Sequence, residues 1–148
     1  QKGLSAEEIF EKVMARRNAV QASFVIDTLK YLYKGGRCSR LAMFGANLLK
    51  IKPVIVLKDG KMDVDSKPRG KYADVVMKYV EYILGKFKTP DKTRCFITYT
   101  TLDDEIVRMI EEKIKPIFKE ILITRAGCTI ATHCGRNTVG ILYYNDGE

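Results

Sequence analysis

The chain has 148 residues, of which 46% are hydrophobic and 30% are charged. This composition, without any low-complexity tract, excludes a disordered chain and is typical of one globular domain with a core of its own. No apolar run approaches the roughly 18 residues that a membrane-spanning helix needs, so we expect no transmembrane segment.

The net charge of the chain is +8, from 26 Lys and Arg against 18 Asp and Glu. Such a balance fits nucleic acid, an anionic membrane surface or an acidic partner, and it also fits a solvated surface, because the basic residues are spread along the chain. The sequence contains no P-loop, no Gly-x-Gly-x-x-Gly after a strand, no His-Glu-x-x-His and no aromatic RNA-binding motif. We therefore predict no cofactor and no nucleic-acid partner.

The start of the chain and its cysteines bear on its origin. The chain begins at Gln1 without a signal-peptide pattern, which indicates an internal piece of a longer protein, with a processed mature protein as the alternative. Its four cysteines include no Cys-x-x-Cys pair, and with one histidine only a Cys₃His zinc set would fit the numbers. We expect no metal site, and we expect reduced thiols in a cytoplasmic protein.

The first half of the chain predicts alternating helices and strands. Ser5-Ala6-Glu7-Glu8 is a capping box, in which the serine accepts from the first helical turn and Glu8 reaches back. Apolar residues at helical spacing follow, and short β-prone runs bounded by turn residues indicate strands. In chain order we predict a helix over 6–18, a strand over 22–26, a short helix over 29–34 capped by Asp27 or Thr28 and ended by Gly35-Gly36, a helix over 39–49 and a strand over 51–57.

The second half continues this alternation and adds a hairpin at Asp59-Gly60. In chain order we predict a strand over 61–64, a long helix over 71–87 with Val75, Val76, Tyr79, Val80 and Ile83 on its apolar side, a strand over 95–99, a helix from Thr101-Leu102-Asp103-Asp104 to about Ile114, a strand within 117–124, a glycine-punctuated loop over 126–137 and a strand over 139–144. The pattern predicts an α/β fold, a layered domain with a mixed β-sheet flanked by helices. Without a repeat or linker, one domain covers residues 1–148.

The segment Lys34-Gly35-Gly36-Arg37 combines a permissive backbone with a fixed positive charge. Two consecutive glycines allow a positive φ and a close approach to another group. The guanidinium that follows is a forked donor suited to a carboxylate or a phosphate. The alternative is a helix C-cap followed by a solvated arginine.

The segment 127–137 holds the one histidine of the chain, His133, among glycines and threonine hydroxyls. Such a loop can form an anion-binding concavity, and the histidine can donate to a carboxylate or act as an acid or base. A structural histidine bonded to a backbone carbonyl is the alternative. Because Cys134 adjoins His133 in the chain, its thiol rarely points at the ring. We therefore assign no catalytic residue.

Basic residues cluster in Lys67-Pro68-Arg69-Gly70-Lys71, just before the long helix. The N-terminus of a helix is already positive, so these side chains project toward an acidic partner or into water. A partner-binding surface and a solvated turn both fit this segment.

Taken in order, these segments resemble the DegV family of fatty-acid-binding proteins over nearly the whole chain. The matching segments are Asp27 to Leu32 running into Lys34-Gly35-Gly36-Arg37, Ile51-Lys52-Pro53 followed by Asp59-Gly60, Lys67 with Arg69, and Thr132-His133-x-Gly135 with Gly140. The resemblance implies a C-terminal-domain-like fold and a lipid-binding protein rather than an enzyme. Family members hold a long-chain fatty acid, with the acyl chain in an apolar tunnel, and present its carboxyl group to a bacterial fatty acid kinase.

The resemblance also implies roles for individual residues. Arg37, His133, Thr132 and Gly135 belong to the surroundings of the carboxylate, and Arg69 with Lys67 to a kinase-docking surface. Apolar residues beside the matching segments are candidates to line the acyl tunnel, with packing in the core as the alternative role: Leu29, Leu41, Phe44, Val54 and Ile130. In the family an N-terminal domain completes the carboxylate site, and this chain lacks it. We therefore expect that domain as a partner, and we expect little kinase-coupled activity from this piece by itself.

The histidine segment departs from the family pattern at three places. Arg136-Asn137 stands where Pro-Gly is usual, Cys134 replaces a usual threonine and Cys128 stands where proline is common. Asn can adopt a left-handed backbone conformation. Arg136 adds charge near the head-group site, and Cys134 removes a hydroxyl donor.

Three hypotheses differ in what they require of the structure. A fatty-acid carrier requires a buried apolar tunnel with Arg37 and His133 at its mouth. A hydrolase or phosphotransferase requires a nucleophile about 3 Å from His133. A basic interaction module requires a continuous face of Lys and Arg without a pocket. We predict the carrier.

Overall fold

Helices and strands alternate through the computed structural model, which describes residues 3–36 and 51–147. In chain order the elements are α1 (Ala6–Arg16), a 3₁₀ turn (Arg17–Ala19), β1 (Val20–Ile26), α2 (Lys30–Lys34), β2 (Val54–Lys58), β3 (Lys61–Ser66), α3 (Tyr72–Lys86), β4 (Arg94–Tyr99), α4 (Asp104–Ile114), β5 (Glu120–Arg125), α5 (Cys128–Cys134) and β6 (Thr138–Tyr144). Within these residues, every helix is too short or too polar to cross a membrane.

The strands form one mixed sheet in the order β3-β2-β1-β6-β4-β5. Neighbouring strands are antiparallel except β4 and β5, which are parallel. The turn between β2 and β3 has positive φ at both Asp59 (51°) and Gly60 (72°), which is the backbone of a type I′ hairpin. The predictions of a mixed sheet and of this hairpin are confirmed.

Helices α3 and α4 cover one side of the sheet, which we call the helix-covered face. The five apolar residues predicted for α3 are all buried there, and they pack against side chains of β1, β4 and β6. Along β1 this face receives Gln21, Ser23 and Val25, and the alternate residues point to the other side. That other side, which we call the open face, carries Val20, Ala22, Phe24 and Ile26.

A buried tyrosine interrupts the pairing of β1 with β6. The strands pair on both sides of this point, at Ala22 with Leu142 and at Val25 with Val139. Between these pairs the Tyr79 hydroxyl donates to the Ser23 carbonyl (3.0 Å) and accepts from the Ile141 amide (3.0 Å). The hydroxyl therefore replaces a ladder hydrogen bond, and burial raises its pKa.

Helix α1 follows its sequence signals but buries none of its residues. The capping box is present, because Ser5 Oγ accepts from the Glu8 amide (3.2 Å) and Glu8 accepts from the Ser5 amide (2.7 Å). Its C-terminal end is anchored by Arg16, whose guanidinium lies 4.0 Å from the centroid of the Tyr144 ring. Local capping thus accounts for this helix better than packing of its apolar side does.

Two of the differences between the predicted elements and the structure have a clear physical reason. The predicted loop over 126–137 is wrong, because residues 128–134 form the helix α5. β-branched residues disfavour a helix there, and the helix is instead supported by its contact with α2 and by burial of Cys134. The strand predicted from residue 51 begins at Val54, because Pro53 has no N–H to donate. The helix predicted over 39–49 lies outside the described residues.

Candidate functional site

Helices α2 and α5 lie together at one end of the open face. Beneath them a small apolar cluster, separate from the larger core, joins both helices to β1 and β2. Its buried members are Ile26, Leu29, Leu32, Ile55 and Cys134. Two segments about 100 residues apart in the sequence, the Gly-Gly turn after α2 and the histidine segment, therefore meet at one place.

The imidazole ring of His133 packs directly on the backbone of Gly35. A Cβ at position 35 would lie 2.3 Å from Nδ1 and 3.0 Å from Cε1 of the ring. Gly36 has a φ of 69°, so the second glycine supplies the left-handed turn. Each glycine of the pair is thus required for its own reason, the first for a close approach and the second for its dihedral angle.

Gly135, the residue after α5, is fixed by a ring contact and by hydrogen bonds at both its N–H and its carbonyl. Its φ is 80°, and a Cβ there would lie 2.3 Å from the Tyr31 ring. Its N–H donates to the Ala131 carbonyl (2.8 Å), and its carbonyl accepts from the hydroxyls of Thr100 (2.7 Å) and Thr138 (3.2 Å). Gly135 therefore shapes the segment, and its own polar groups are already used.

Asn137, which stands where the family pattern has glycine, takes a left-handed conformation with a φ of 53°. Its N–H donates to the Thr101 carbonyl (2.9 Å), and its carbonyl accepts from the Tyr72 hydroxyl. Burial, and next the charge of Asp27, raise the pKa of Tyr72. The backbone at Asn137 is thus held by hydrogen bonds on both sides, next to the exposed Arg136.

The predicted carboxylate and lining residues occupy different surroundings. The exposed Thr132 donates its hydroxyl to the Cys128 carbonyl (2.8 Å), which uses its proton within α5. Leu29 is buried in the small cluster, whereas Val54 is buried in the larger core beneath α3, on the opposite face from His133. Ile130 is 52% exposed. Three further predicted residues lie outside the described residues: Arg37, Leu41 and Phe44.

The basic turn before α3 is exposed at Lys67 and Arg69. It is attached to the sheet through Pro68, whose carbonyl accepts from the Lys52 amide (3.0 Å). The Lys52 ammonium in turn forms an ion pair with Asp27, at the end of β1. The turn is therefore fixed at the same end of the sheet as α2 and α5.

Sequence reasoning missed the residues of the open face as candidates for contact with a ligand. Ala22, Leu142 and Phe96 form a row across β1, β6 and β4, because the strand registers place them opposite one another. Near Tyr144 this face contains a cavity of about 550 Å³, whose apolar lining includes Val20, Phe96 and Leu142. The available signal was that every second residue of β1, from Val20 through Ala22 and Phe24 to Ile26, is apolar.

Three observations on the described residues bear on the enzyme hypothesis. No Ser, Thr or Cys among them forms a hydrogen bond with His133. Burial raises the pKa of the Cys134 thiol, which opposes formation of a reactive thiolate. In the same residues, no three His, Cys, Asp or Glu side chains are grouped to hold a metal ion.

The profile of the DegV family, described as an uncharacterised protein family, matches residues 1–146. The chain belongs to the DegV family. This DegV chain is 32% identical over 138 residues to the DegV domain-containing protein YqaC of Lactococcus lactis. The aligned region covers 93% of this chain and 49% of that protein. It spans about half the length of the curated relatives that it matches.

Solved structures share the fold of this DegV chain. A DegV family protein from Thermus thermophilus, described for its fatty acid binding, matches with a TM-score of 0.81 and 25% identity, over 97% of this chain and 51% of that one. The Streptococcus pneumoniae Fatty Acid Kinase (Fak) B3 protein loaded with linoleic acid matches with a TM-score of 0.82 over 98% and 51%. At 23% identity the second likeness shows the fold alone. The predicted fold class is confirmed.

Proposed function

We propose that this DegV chain is the C-terminal, lipid-holding half of a fatty-acid-binding protein. The observation that carries the proposal is the contact of His133 with Gly35 at one end of the open apolar face. It brings the two glycines of the Gly-Gly-Arg element close to the histidine of the Thr-His-x-Gly element, and the resemblance assigns both elements to the carboxylate. The Thermus relative, named for fatty acid binding, supports the same ligand class.

The proposed head-group site has donors suited to an anion. Burial of a carboxylate costs free energy unless charged or multiple donors offset its desolvation. Arg37 follows directly on the left-handed Gly36, and His133 has a ring nitrogen that is not enclosed. We assign donation to these two side chains. Thr132 and Gly135, whose protons are already bonded within the chain, keep the segment in shape.

The open face has the length that an acyl chain needs. From Thr138, beside α5, to Tyr144, beside the cavity, β6 advances six residues, or about 20 Å. A lipid chain fills about half of the roughly 30 Å hydrocarbon core of a bilayer, or about 15 Å. Each buried methylene contributes about 0.8 kcal/mol. We therefore propose that the acyl chain runs from His133 along Phe24, Ala22 and Leu142 toward the cavity.

Two partners complete the proposal. The relatives carry about as many residues again, and we assign the remainder of the carboxylate site to that other half. We propose a fatty acid kinase as the enzyme that receives the presented carboxyl group, with Lys67 and Arg69 on its docking surface. The cytoplasm is the compartment that suits this role, and the three described cysteines are free thiols.

The test is uptake of oleate and palmitate by the purified chain, measured by native mass spectrometry and by calorimetric titration. We expect a complex with one lipid per chain, weakened about tenfold by Arg37→Ala or His133→Ala through loss of a charge-assisted or buried hydrogen bond. Arg108→Ala, at an exposed position of α4, is the matched control. Failure of the chain to take up either lipid contradicts the proposal. Full phosphorylation of the lipid by a cognate kinase with this chain alone contradicts the need for the other half.

A further inference from the structure

The two ring nitrogens of His133 have different surroundings. Nδ1 is buried and has no hydrogen-bond partner within the described residues. That edge of the ring lies against Gly35, where a Cβ would be 2.3 Å from Nδ1. Nε2 is not enclosed in this way, and the side chain as a whole is half-buried. One nitrogen therefore faces the backbone, and the other faces the open side of the site.

These surroundings decide which nitrogen carries the proton of the neutral ring. A neutral imidazole has one N–H donor and one acceptor nitrogen, in either arrangement. A buried N–H without an acceptor loses its hydrogen bond to water and forms no other, which costs free energy. Buried donors without a partner are rarer in proteins than buried acceptors without one. The arrangement that avoids a buried, unpaired N–H places the proton on Nε2.

We infer that Gly35 is a positioning residue that holds His133 as the Nε2–H tautomer, so that the histidine presents a hydrogen-bond donor to an anionic oxygen of the ligand. The identity of that ligand as a fatty-acid carboxylate rests on the proposed function. The tautomer itself rests on the burial of Nδ1 against Gly35 without a hydrogen-bond partner among the described residues.

The inference separates a binding role from a catalytic one. A general base needs a lone pair within reach of the proton that it takes. In the Nε2–H tautomer the lone pair is on Nδ1, which Gly35 encloses, and Nε2 already carries a proton. His133 therefore recognises an acceptor oxygen and does not activate a nucleophile, which contradicts the hydrolase hypothesis at this residue.

The first test reads the tautomer in the ligand-free chain. Long-range ¹H–¹⁵N correlation spectra of the one imidazole distinguish a protonated from an unprotonated ring nitrogen. We expect the protonated shift at Nε2 and the unprotonated shift at Nδ1, at a pH where the ring is neutral. The reverse assignment overturns the inference, whether or not the chain binds lipid.

The second test uses two amide replacements that differ in reach. The terminal NH₂ of His133→Gln lies about where Nε2 lies, whereas that of His133→Asn lies about where Nδ1 lies. We expect His133→Gln to bind oleate within about threefold of the unchanged chain, and His133→Asn to bind it at least about tenfold more weakly, the value of one hydrogen bond to a charged group. Equal losses, or the opposite order, overturn the inference.

The third test addresses Gly35 directly. Gly35→Ala is expected to move the ¹⁵N shifts of His133 and to weaken oleate binding about tenfold. Gly85→Ala, in open space on α3, is the matched control and is expected to change neither quantity. An unchanged His133 spectrum in folded Gly35→Ala overturns the positioning role. If the unchanged chain takes up no fatty acid, the proposed function fails, and the nitrogen shifts still decide the tautomer.

Discussion

The ring of Tyr31 lies against the backbone of Gly135 so closely that no side chain fits between them. A Cβ at position 135 would be 2.3 Å from Cδ2 and 2.6 Å from Cε2 of the ring. This contact joins α2 to the end of α5. It therefore supports the same junction that brings His133 against Gly35.

Gly135→Ala is expected to lower the free energy of unfolding by about 2–4 kcal/mol, because the alanine would need a positive φ and would overlap the Tyr31 ring. Equilibrium unfolding in urea measures the change. Gly85→Ala is the control, since it adds a methyl group to an exposed helical position and is expected to stabilise by about 0.5–1 kcal/mol. A Gly135→Ala chain as stable as the original would contradict the close contact.

Tyr79→Phe is expected to cost about 2–3 kcal/mol, because it leaves the Ile141 amide and the Ser23 carbonyl buried without this partner. Denaturant unfolding gives the free energy, and hydrogen exchange at the Ile141 amide reports the local opening. Tyr82→Phe removes an exposed hydroxyl that donates to Asp65 (2.6 Å), and it should cost less than about 1 kcal/mol. Similar losses for both variants would mean that Tyr79 does not bridge the strands.

Ala22→Phe is expected to shorten the acyl chains that the protein accepts. The added ring would fill the middle of the open face beside Leu142 and displace two or three methylenes, a loss of about 2 kcal/mol, or about 30-fold, for chains of 16 to 18 carbons. Chains of 10 to 12 carbons should bind nearly as before. Titration with a series of fatty acids measures this, with Met109→Phe on α4 as control. Unchanged binding of long chains would place the acyl chain elsewhere.

Stability is expected to fall as the pH is lowered from about 5 toward 2. Hydrogen bonds from Thr93, and then Arg16, lower the pKa of Asp91 to about 2. The unfolded carboxyl group takes up its proton near pH 4, at about its ordinary pKa. Below that pH the unfolded chain binds more protons, so the contribution of Asp91 is full above about pH 5 and is lost through the pKa of the folded state.

Asp91→Asn provides the measurement for this contribution. Urea unfolding at pH 7 and at pH 3 should show that the acid-induced loss of stability is about 1 kcal/mol smaller in the variant, after allowance for solvent screening. Asp63→Asn, at an exposed position of β3, is the control. An acid-induced loss of the same size in Asp91→Asn and in the original chain would contradict the lowered pKa.

Most elements of the sheet and of the larger core follow from local patterns in the sequence. The five apolar residues of α3 recur at helical spacing, and all five are buried. The turn at Asp59 and Gly60 needs positive φ at both positions, which these residue types tolerate. In each case a short stretch of chain contains the information, so no distant contact is needed to predict the element.

Helix α5 and the open face could not be predicted in this way. The run from Cys128 to Cys134 is rich in β-branched residues, so its propensity opposes the helix that contact with α2 supports. Val54 is apolar, as a lining residue should be, yet the direction of its side chain places it beneath α3. A shift of one residue in register moves a side chain to the other face of its strand. β2 is apolar on both sides, so its sequence does not specify which of its residues face α3 and which face the open side.

The sequence by itself determined the family, the mixed α/β fold and the two segments that carry the polar chemistry, because glycines, one histidine and hydrophobic spacing are local features. The tertiary structure alone decided that Gly35 faces His133, that Gly135 faces Tyr31 and that Nδ1 of the histidine is buried without a partner among the described residues. These are contacts between residues about 100 positions apart, and their distances depend on how α2 and α5 pack on the sheet. Composition and spacing contain no such distances.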